Sequence, residues 1–226
     1  KINTNKMLVL IAAAKKNYIT ERLRLISDLG FGAGVLDIDS LAIINIFNLI
    51  RDRSGQNNSQ SSHKEKQGSG ISVLLNIGSN ISNLALLDGD LLRFSRDISF
   101  GGKDISAKIS SKLKIDFNEA EKIKLSTDGN PDARFAIEAS LAELVNDLRL
   151  SFDYYESQTG KTVNHVYLSG GGSCLNKIDE FMNSAMNIDF EVWDPFDGFE
   201  ISQSVDKNMA KEFNQRFAVA AGLSLR

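Results

Sequence analysis

Leu75-Asn76-Ile77-Gly78-Ser79-Asn80 decides the fold of this chain, together with a second segment, Tyr167-Leu168-Ser169-Gly170-Gly171-Gly172-Ser173. Each segment follows apolar, β-prone residues and then reaches glycine, so each predicts a buried strand that ends in a tight turn. A glycine turn lets bare backbone approach a phosphate or a nucleoside. Together the two segments predict a nucleotide cleft.

Composition narrows the possible function classes. The chain has 226 residues, of which 42% are apolar and 24% are charged, as in ordinary soluble globular proteins. Its net charge of −3 does not favour nucleic acid or an anionic lipid surface as a partner. Cys174 is the only cysteine, which excludes an internal disulfide, and His63 and His165 lack the spacing of metal ligands. These features indicate a cytoplasmic protein.

The beginning of the chain predicts two strands and a helix. The apolar run at residues 7–14 has eight residues, whereas a membrane-spanning helix needs roughly 20. Any membrane contact is therefore expected to be indirect. We predict a strand at 8–13, a helix at 19–29 that ends at Gly30, and a second strand at 34–38.

A buried helix and a polar connection follow. Ser40 has the side chain of an N-cap for a helix that ends near residue 50, and apolar residues on all its sides predict burial. Residues 53–70 are rich in Ser, Gln, Asn, Gly and Lys and contain no aromatic residue, which is typical of a mobile linker. We place the boundary between two lobes in this connection.

Beyond the linker, strands and helices alternate. Three strands joined by short turns predict an antiparallel meander, and a long helix with an apolar stripe must pack on the sheet. Strands are predicted at 71–77, 83–87, 91–98, 163–168 and 190–193, and helices at 103–126 with a cap at Asn118, 132–157, 175–186 and 213–225. This order predicts an α/β fold in which several strands share one sheet.

Seven stretches, taken in order, resemble one protein family. They are Val35-Leu36-Asp37-Ile38-Asp39-Ser40-Leu41-Ala42, residues 74–82, Arg96-Asp97-Ile98-Ser99-Phe100-Gly101-Gly102, Asn118-Glu119-Ala120-Glu121-Lys122-Ile123-Lys124, Ser151-Phe152-Asp153-Tyr154-Tyr155, residues 168–175 and Phe217-Ala218-Val219-Ala220-Ala221-Gly222-Leu223. The order of elements resembles the second half of the actin-like ATPase fold. The local sequence is similar to the PilM family of type IV pilus assembly proteins, which are themselves similar to FtsA.

The resemblance implies a fold class and domain limits. The expected fold is an α/β, actin-like (ribonuclease H-like) ATPase fold whose mixed sheet has helices on both faces. Residues 1–36 would be the remainder of a small FtsA-like inserted subdomain, 37–52 a crossover helix of the first lobe and 53–70 a flexible linker. Residues 71–226 would form a nearly complete second lobe with a helical insert at about 103–131. The family's first phosphate-binding loop is expected to be missing.

The phosphate loop of the family supplies the first candidate site residues. In that loop, turn amides and a hydroxyl bind phosphate oxygens. By resemblance its members here are Asn76, Gly78, Ser79, Asn80 and Ser82. The family commonly has a carboxylate where this chain has Asn76, so we expect weak metal binding and weak hydrolysis. An ordinary strand that ends in a glycine turn is the alternative.

Two further groups complete the candidate site. The adenosine motif of the family matches Gly170, Gly171, Gly172 and Ser173, where glycines let the backbone lie against base and ribose. A tight strand-to-helix turn is the alternative. Glu121 and Lys124 share one helical face and match the pair that reaches ribose and adenine in the family. For this pair the alternative is a solvated ion pair.

Other conspicuous residues are expected to be structural. A turn and helix start are predicted at Asp97, Gly101, Gly102 and Asp104. Trp193, Phe196 and Phe199 could form a surface contact or pack against the sheet. We favour burial of these aromatic side chains against the sheet. Cys174 lies beside the second glycine turn, but no histidine stands in a supporting motif, so we expect no catalytic residue.

The resemblance also implies a function. It predicts a cytoplasmic, nucleotide-binding scaffold protein of type IV pilus assembly, peripheral at the inner face of the cytoplasmic membrane. ATP is the expected ligand, with Mg²⁺ as the candidate metal. The expected partners are other pilus assembly components and the short cytoplasmic N-terminal segment of a PilN-like inner-membrane protein. An active ATPase or sugar-kinase-like enzyme of the same fold and an FtsA-like cell-division protein are the alternatives.

Overall fold

The computed structural model describes residues 9–56, 71–126, 130–205 and 214–226. The chain divides into two compact units, Lys1–Leu36 and Asp37–Arg226. The first unit contains the helix α1 (Lys16–Asp28), none of whose side chains is buried. Its described residues form no strand, so the strands predicted at 8–13 and 34–38 are wrong. A short apolar run becomes a strand only where another strand satisfies its backbone hydrogen bonds.

The second unit begins with the helix α2 (Asp39–Gln56). This helix continues through residues 53–56, the first part of the predicted linker, and residues 57–70 lie outside the described part of the chain. Most of its apolar residues are buried, among them Ile43, Ile46 and Phe47, whereas Leu41, Leu49 and Ile50 are partly buried.

One mixed sheet of five strands forms the centre of the second unit. The strands are β1 (Ile71–Ile77), β2 (Ser82–Asp88), β3 (Leu91–Ile98), β4 (His165–Ser169) and β5 (Asp189–Val192), in the spatial order β3-β2-β1-β4-β5. The pairs β1–β2 and β2–β3 are antiparallel, which confirms the meander, and β1–β4 and β4–β5 are parallel. All residues of β1 are buried, because β1 has a strand on each side and helices over both faces.

Five further helices follow the meander or connect the later strands. They are α3 (Gly102–Leu113), α4 (Phe117–Leu125), α5 (Pro131–Thr159), α6 (Ile178–Met186) and α7 (Ala218–Leu223). The helix start predicted after β3 is present, and the amide of Gly101 donates to Oδ2 of Asp104 over 2.8 Å. Asp116, rather than Asn118, caps α4 by accepting from the amide of Glu119. Asn118 is the second residue of the helix, so it does not occupy the N-cap position.

Side chains of the sheet alternate between two hydrophobic clusters. Val73, Leu75 and Ile77 pack with residues of α3 and α5, whereas Leu74 packs with residues of α2 and α7. The predicted stripe of α5 is buried in the first cluster: Ile137, Leu141, Leu144, Leu148 and Tyr155. Helices therefore cover both faces of the sheet.

The aromatic residues after β5 belong to the second cluster. Trp193 is buried and its ring lies 5.5 Å from that of Phe47, while Phe196 and Phe199 are partly buried against the same cluster. The prediction of burial is confirmed. Within the described residues, every helix is too short or too polar to cross a bilayer.

Candidate functional site

The two glycine turns lie side by side because β1 and β4 are parallel neighbours. Asn76 and Ser169 are register partners, so β1 and β4 both end at the same edge of the sheet. Gly170 has φ +85° and ψ 170°, and a Cβ at this position would lie 2.5 Å from the carbonyl oxygen of Ile77. Only glycine tolerates this conformation and this contact. The two bends meet in space, as the sequence predicted.

The first turn is attached to the beginning of α3. The amide of Gly78 donates to the carbonyl of Ile81 over 3.1 Å, which closes the turn. The carbonyls of Gly78 and Ser79 accept from the amides of Gly102 and Lys103, each over 2.9 Å. These bonds bring the N-terminus of α3, which carries a partial positive charge, against the turn. Of the predicted loop residues, Ser79 and Asn80 are exposed.

Two predicted ligand hydroxyls are instead used inside the turns. Ser82 is fully buried and its hydroxyl donates to the carbonyl of Phe100 over 2.7 Å. Ser173 is 3% exposed and its hydroxyl donates to the carbonyl of Gly170 over 2.7 Å. Both side chains therefore stabilise the loops rather than face the solvent.

Lys124 connects α4 to the beginning of α3. Its Nζ donates to Oε1 of Glu121 over 2.8 Å, to the hydroxyl of Ser106 over 2.9 Å and to the carbonyl of Gly102 over 3.1 Å. These bonds use all the N–H groups of the ammonium. The Lys124 side chain is only 13% exposed. The pair of Lys124 and Glu121 is therefore not the solvated ion pair that was the alternative.

Glu121 is a stabilised carboxylate at the edge of this cluster. Burial raises the pKa of Glu121, but hydrogen bonds from Lys124 and Ser106 and the positive charges of Lys124 and Arg216 outweigh that effect. The net result is a pKa below the ordinary value. Glu121 therefore carries a negative charge at neutral pH.

A crevice separates the second glycine turn from α3 and α4. It is lined by Gly102, Ile105, Lys124, Leu125, Gly171, Gly172 and Leu175. Its cavity volume is ≈ 10 Å³, room for about one water molecule. The crevice is narrow, and it brings Gly171 and Gly172 of the adenosine motif together with Lys124.

Sequence reasoning missed two residues at this crevice, Arg216 and Leu125. Arg216 belongs to a 3₁₀ turn (Asn214–Phe217) that is held to the glycine turn, since the amide of Gly170 donates to the carbonyl of Gln215 over 2.9 Å. The Cγ of Arg216 lies 3.9 Å from where a Cβ of residue 171 would be. Leu125 is 60% exposed at the rim. Leu125 directly follows Lys124 and was a readable signal, whereas nothing local marks Arg216.

The chemistry of a metal centre or a nucleophile is not evident in the described residues. They contain no cluster of three His, Cys, Asp or Glu side chains that would hold a metal ion. The Sγ of Cys174 lies 3.9 Å from Oε1 of Gln215. His165 contacts Asp189 of β5, with Nδ1 at 2.8 Å from Oδ2. The arrangement thus offers main-chain turns, the partly buried ammonium of Lys124 and the exposed apolar side chain of Leu125.

Solved structures of actin-like proteins share this fold. The chain is 24% identical, with a TM-score of 0.80, to a structure described as a PilM–PilN type IV pilus biogenesis complex, covering 94% of this chain. It is 14% identical, with a TM-score of 0.65, to the ethanolamine utilization protein EutJ from Carboxydothermus hydrogenoformans, again over 94% of this chain. MreB5 of Spiroplasma citri bound to ADP is 10% identical, with a TM-score of 0.59 over 95%. The fold is therefore actin-like, as predicted.

These likenesses cover only part of the other proteins. The chain spans 58%, 62% and 66% of the length of the three structures, in the order given. The sequence profile of the family described as type IV pilus assembly protein PilM matches residues 1–226, which is the whole of this chain. The chain therefore belongs to the PilM family of type IV pilus assembly proteins.

Proposed function

We propose that this chain forms one wall of an adenine-nucleotide site in a scaffold protein of type IV pilus assembly. The observation that carries the proposal is the register pairing of Asn76 with Ser169, because it puts both glycine turns at one edge of the sheet. Nucleotides bind at such edges, where main-chain amides point outward and helices begin. Membership of the PilM family and the ADP bound to the MreB5 relative support the same ligand class.

Each part of the crevice has a proposed role. The main-chain amides of Ser79 and Asn80 bind phosphate oxygens, and the backbone of Gly171 and Gly172 lies against the ribose and base. Glu121, which is 38% exposed on its side chain, accepts from ribose hydroxyls. Lys124 supplies positive charge and holds Glu121 in place. Leu125 is covered by the base, which removes apolar surface from water.

The proposed partner is the short cytoplasmic N-terminal segment of a PilN-like inner-membrane protein. The similar structure that contains both PilM and PilN motivates this partner. In this proposal the protein is cytoplasmic and reaches the inner face of the membrane only through that partner. ATP stabilises the form that binds the segment, so nucleotide acts by binding more than by turnover.

Calorimetry of the full-length protein with ATP tests the nucleotide site. We expect Gly171→Leu to weaken ATP binding at least about tenfold, since Gly171 lines the crevice and a Cβ at this residue would meet nothing closer than 3.9 Å. The matched control is Ala142→Leu, which adds the same side chain at an exposed position of α5. Unchanged ATP affinity in Gly171→Leu, with unchanged thermal stability, would remove the site from this crevice.

A second titration tests the partner. The synthetic cytoplasmic segment of the PilN-like protein is titrated into the full-length protein with and without saturating ATP. Because binding linkage is reciprocal, any strengthening of peptide binding by ATP must be matched by an equal strengthening of ATP binding by the peptide. Peptide binding of equal strength in both conditions would refute the stabilising role of ATP.

An active ATPase of the same fold is the second candidate function. Such an enzyme needs a carboxylate that positions water or a metal, and position 76 carries a neutral amide. We therefore expect little phosphate release by the full-length protein with ATP and Mg²⁺. Rapid release that a Gly171→Leu variant abolishes would favour the enzyme over the scaffold.

A further inference from the structure

Four polar side chains form a row across the sheet at the level where the glycine turns begin. Ser169, Asn76, Asn83 and Asp97 lie on β4, β1, β2 and β3 and are successive register partners. Register partners point to the same face of a sheet. Here it is the face of α2 and α7, because Leu74 on the same side of β1 packs there. We call these four residues the polar row.

Hydrogen bonds join the polar row from end to end. The hydroxyl of Ser169 donates to Oδ1 of Asn76 over 3.3 Å, and Nδ2 of Asn76 donates to Oδ1 of Asn83 over 3.1 Å. Nδ2 of Asn83 then donates to Oδ1 of Asp97 over 2.8 Å. Ser169 and Asn76 are buried, Asn83 is half-buried and Asp97 is exposed. The row thus connects the buried base of the second glycine turn to a carboxylate at the surface.

The chemistry of Asp97 determines the direction of every bond in the row. An ionised carboxylate only accepts hydrogen bonds, so Asn83 must present its amide NH₂ to Asp97 and its oxygen to Asn76. Asn76 must then present its NH₂ to Asn83 and its oxygen to Ser169, whose hydroxyl serves as the donor. Reversing any one amide would bring two donors or two acceptors together.

We infer that Asp97 is a positioning residue of the nucleotide site, which orients the amide of Asn76 by acting through Asn83. This inference rests on the proposed function. Outside the row, Asn76 keeps one N–H and one oxygen lone pair, so it offers a phosphate a neutral donor. A neutral donor needs no cation between itself and the phosphate. The site is therefore built for nucleotide phosphate with little dependence on Mg²⁺.

A stability cycle without nucleotide tests the direction of the row. In the full-length protein, Asn76→Asp should lower the melting temperature by roughly 4–8 °C, because the new carboxylate faces the oxygen of Asn83. In an Asp97→Asn background the same change should cost less than about 2 °C. In that background the amides at positions 83 and 97 can both reverse, so that Asn83 donates to the carboxylate at position 76. An equal loss in the two backgrounds would overturn the inference.

Two controls separate the row from simple charge repulsion. In 1 M NaCl, where charges are screened within about 3 Å, the loss and its rescue should persist if hydrogen-bond direction causes them. In an Asn83→Ala background, the coupling between positions 76 and 97 should disappear. Rescue that vanishes at high salt, or that survives without Asn83, would show that Asp97 does not act through Asn83.

Nucleotide binding tests the ligand side of the inference. The dissociation constant of ATP for the wild type should change less than about threefold between MgCl₂ and EDTA. The Asn76→Asp/Asp97→Asn variant should bind at least about tenfold more tightly with MgCl₂. An equally strong Mg²⁺ requirement in both proteins would refute the inference alone. Absence of ATP binding by the wild type would refute the proposed function, while the stability cycle would still decide the direction of the row.

Discussion

Gly222 of α7 lies so close to Ala42 of α2 that a Cβ at position 222 would stand 1.8 Å from the carbonyl oxygen of Ala42. The two helices are therefore in backbone contact. Both contribute to the hydrophobic cluster on one face of the sheet, through residues that include Ile43 and Ala218. This contact joins the first and the last helix of the second unit.

We predict that Gly222→Ala destabilises the protein, although alanine is the better helix former. Helix propensity alone would favour alanine by about 1 kcal/mol, but the added methyl overlaps backbone that cannot move without separating the helices. The expected net loss is about 1–3 kcal/mol in the free energy of unfolding, measured by chemical denaturation. Ala220→Gly, at an exposed position of the same helix, should lose about 1 kcal/mol through propensity alone. A stabilised Gly222→Ala variant would contradict the close packing.

Gly170→Ala should destabilise the protein more than Gly160→Ala. Both glycines have positive φ, +85° and +67°, but a Cβ at Gly160 meets nothing within 4 Å. Each variant carries a backbone cost of about 1–3 kcal/mol, and Gly170→Ala adds the overlap with the carbonyl of Ile77. Thermal unfolding of the two variants under identical conditions measures the difference. Equal losses would mean that the glycine turns are less tightly packed than described.

Lys124→Met should cost more stability than Lys122→Met. The methionine leaves Glu121, the hydroxyl of Ser106 and the carbonyl of Gly102 without their shared donor. Ser106 still donates to Glu121 and Gly102, but the partly buried carboxylate of Glu121 loses its cation, and loss of such charge-assisted hydrogen bonds costs about 1–3 kcal/mol. Lys122 is exposed on the same helix, so its replacement should change the free energy of unfolding by less than about 0.5 kcal/mol. Similar losses in both variants would argue against a structural role for Lys124.

Asp88 should contribute to stability above its ordinary pKa and lose that contribution in acid. A hydrogen bond from Lys161, over 2.7 Å, lowers the pKa of Asp88 together with the charges of Lys161 and Arg93, although burial opposes this. A lowered folded-state pKa means that stability is complete above the unfolded value, near 3.8, and declines as the pH falls through the folded value. Glu121 has a shift of the same sign and adds to the decline.

Denaturation between about pH 2 and pH 6 measures this dependence. Asp88→Asn should flatten the decline below pH 3.8, because the amide does not titrate. Lys161→Met should flatten it as well, since Asp88 then lacks its donor. Retention of the full wild-type slope in both variants would exclude Asp88 as a source of acid sensitivity.

Most elements of the second unit could be predicted from local pattern. β1, β3 and the apolar stripe of α5 were predicted because alternation and helical spacing report which side chains are buried. The strands at 8–13 and 34–38 were wrong for the opposite reason. Their apolar residues match a strand locally, but a strand depends on a partner elsewhere in the chain.

The candidate site was predictable where one segment carried the signal. The glycine turns and the pair of Glu121 and Lys124 were found because each motif is contiguous or nearly so. Arg216 was missed because a hydrogen bond between Gly170 and Gln215, distant in sequence, brings it to the crevice. The sequence also predicted that the hydroxyls of Ser82 and Ser173 bind a ligand. In the structure they donate to the carbonyls of Phe100 and Gly170, which the sequence does not reveal.

The sequence by itself determined the family, the two glycine turns and the amide at position 76, since these depend on residue type and short spacing. Only the tertiary structure decided that β4 lies beside β1, and so aligned Ser169, Asn76, Asn83 and Asp97 on one face. The reason is that register pairing joins residues that are far apart along the chain. The direction of each strand and the identity of its neighbours are set by packing of the whole sheet against its helices rather than by local propensity.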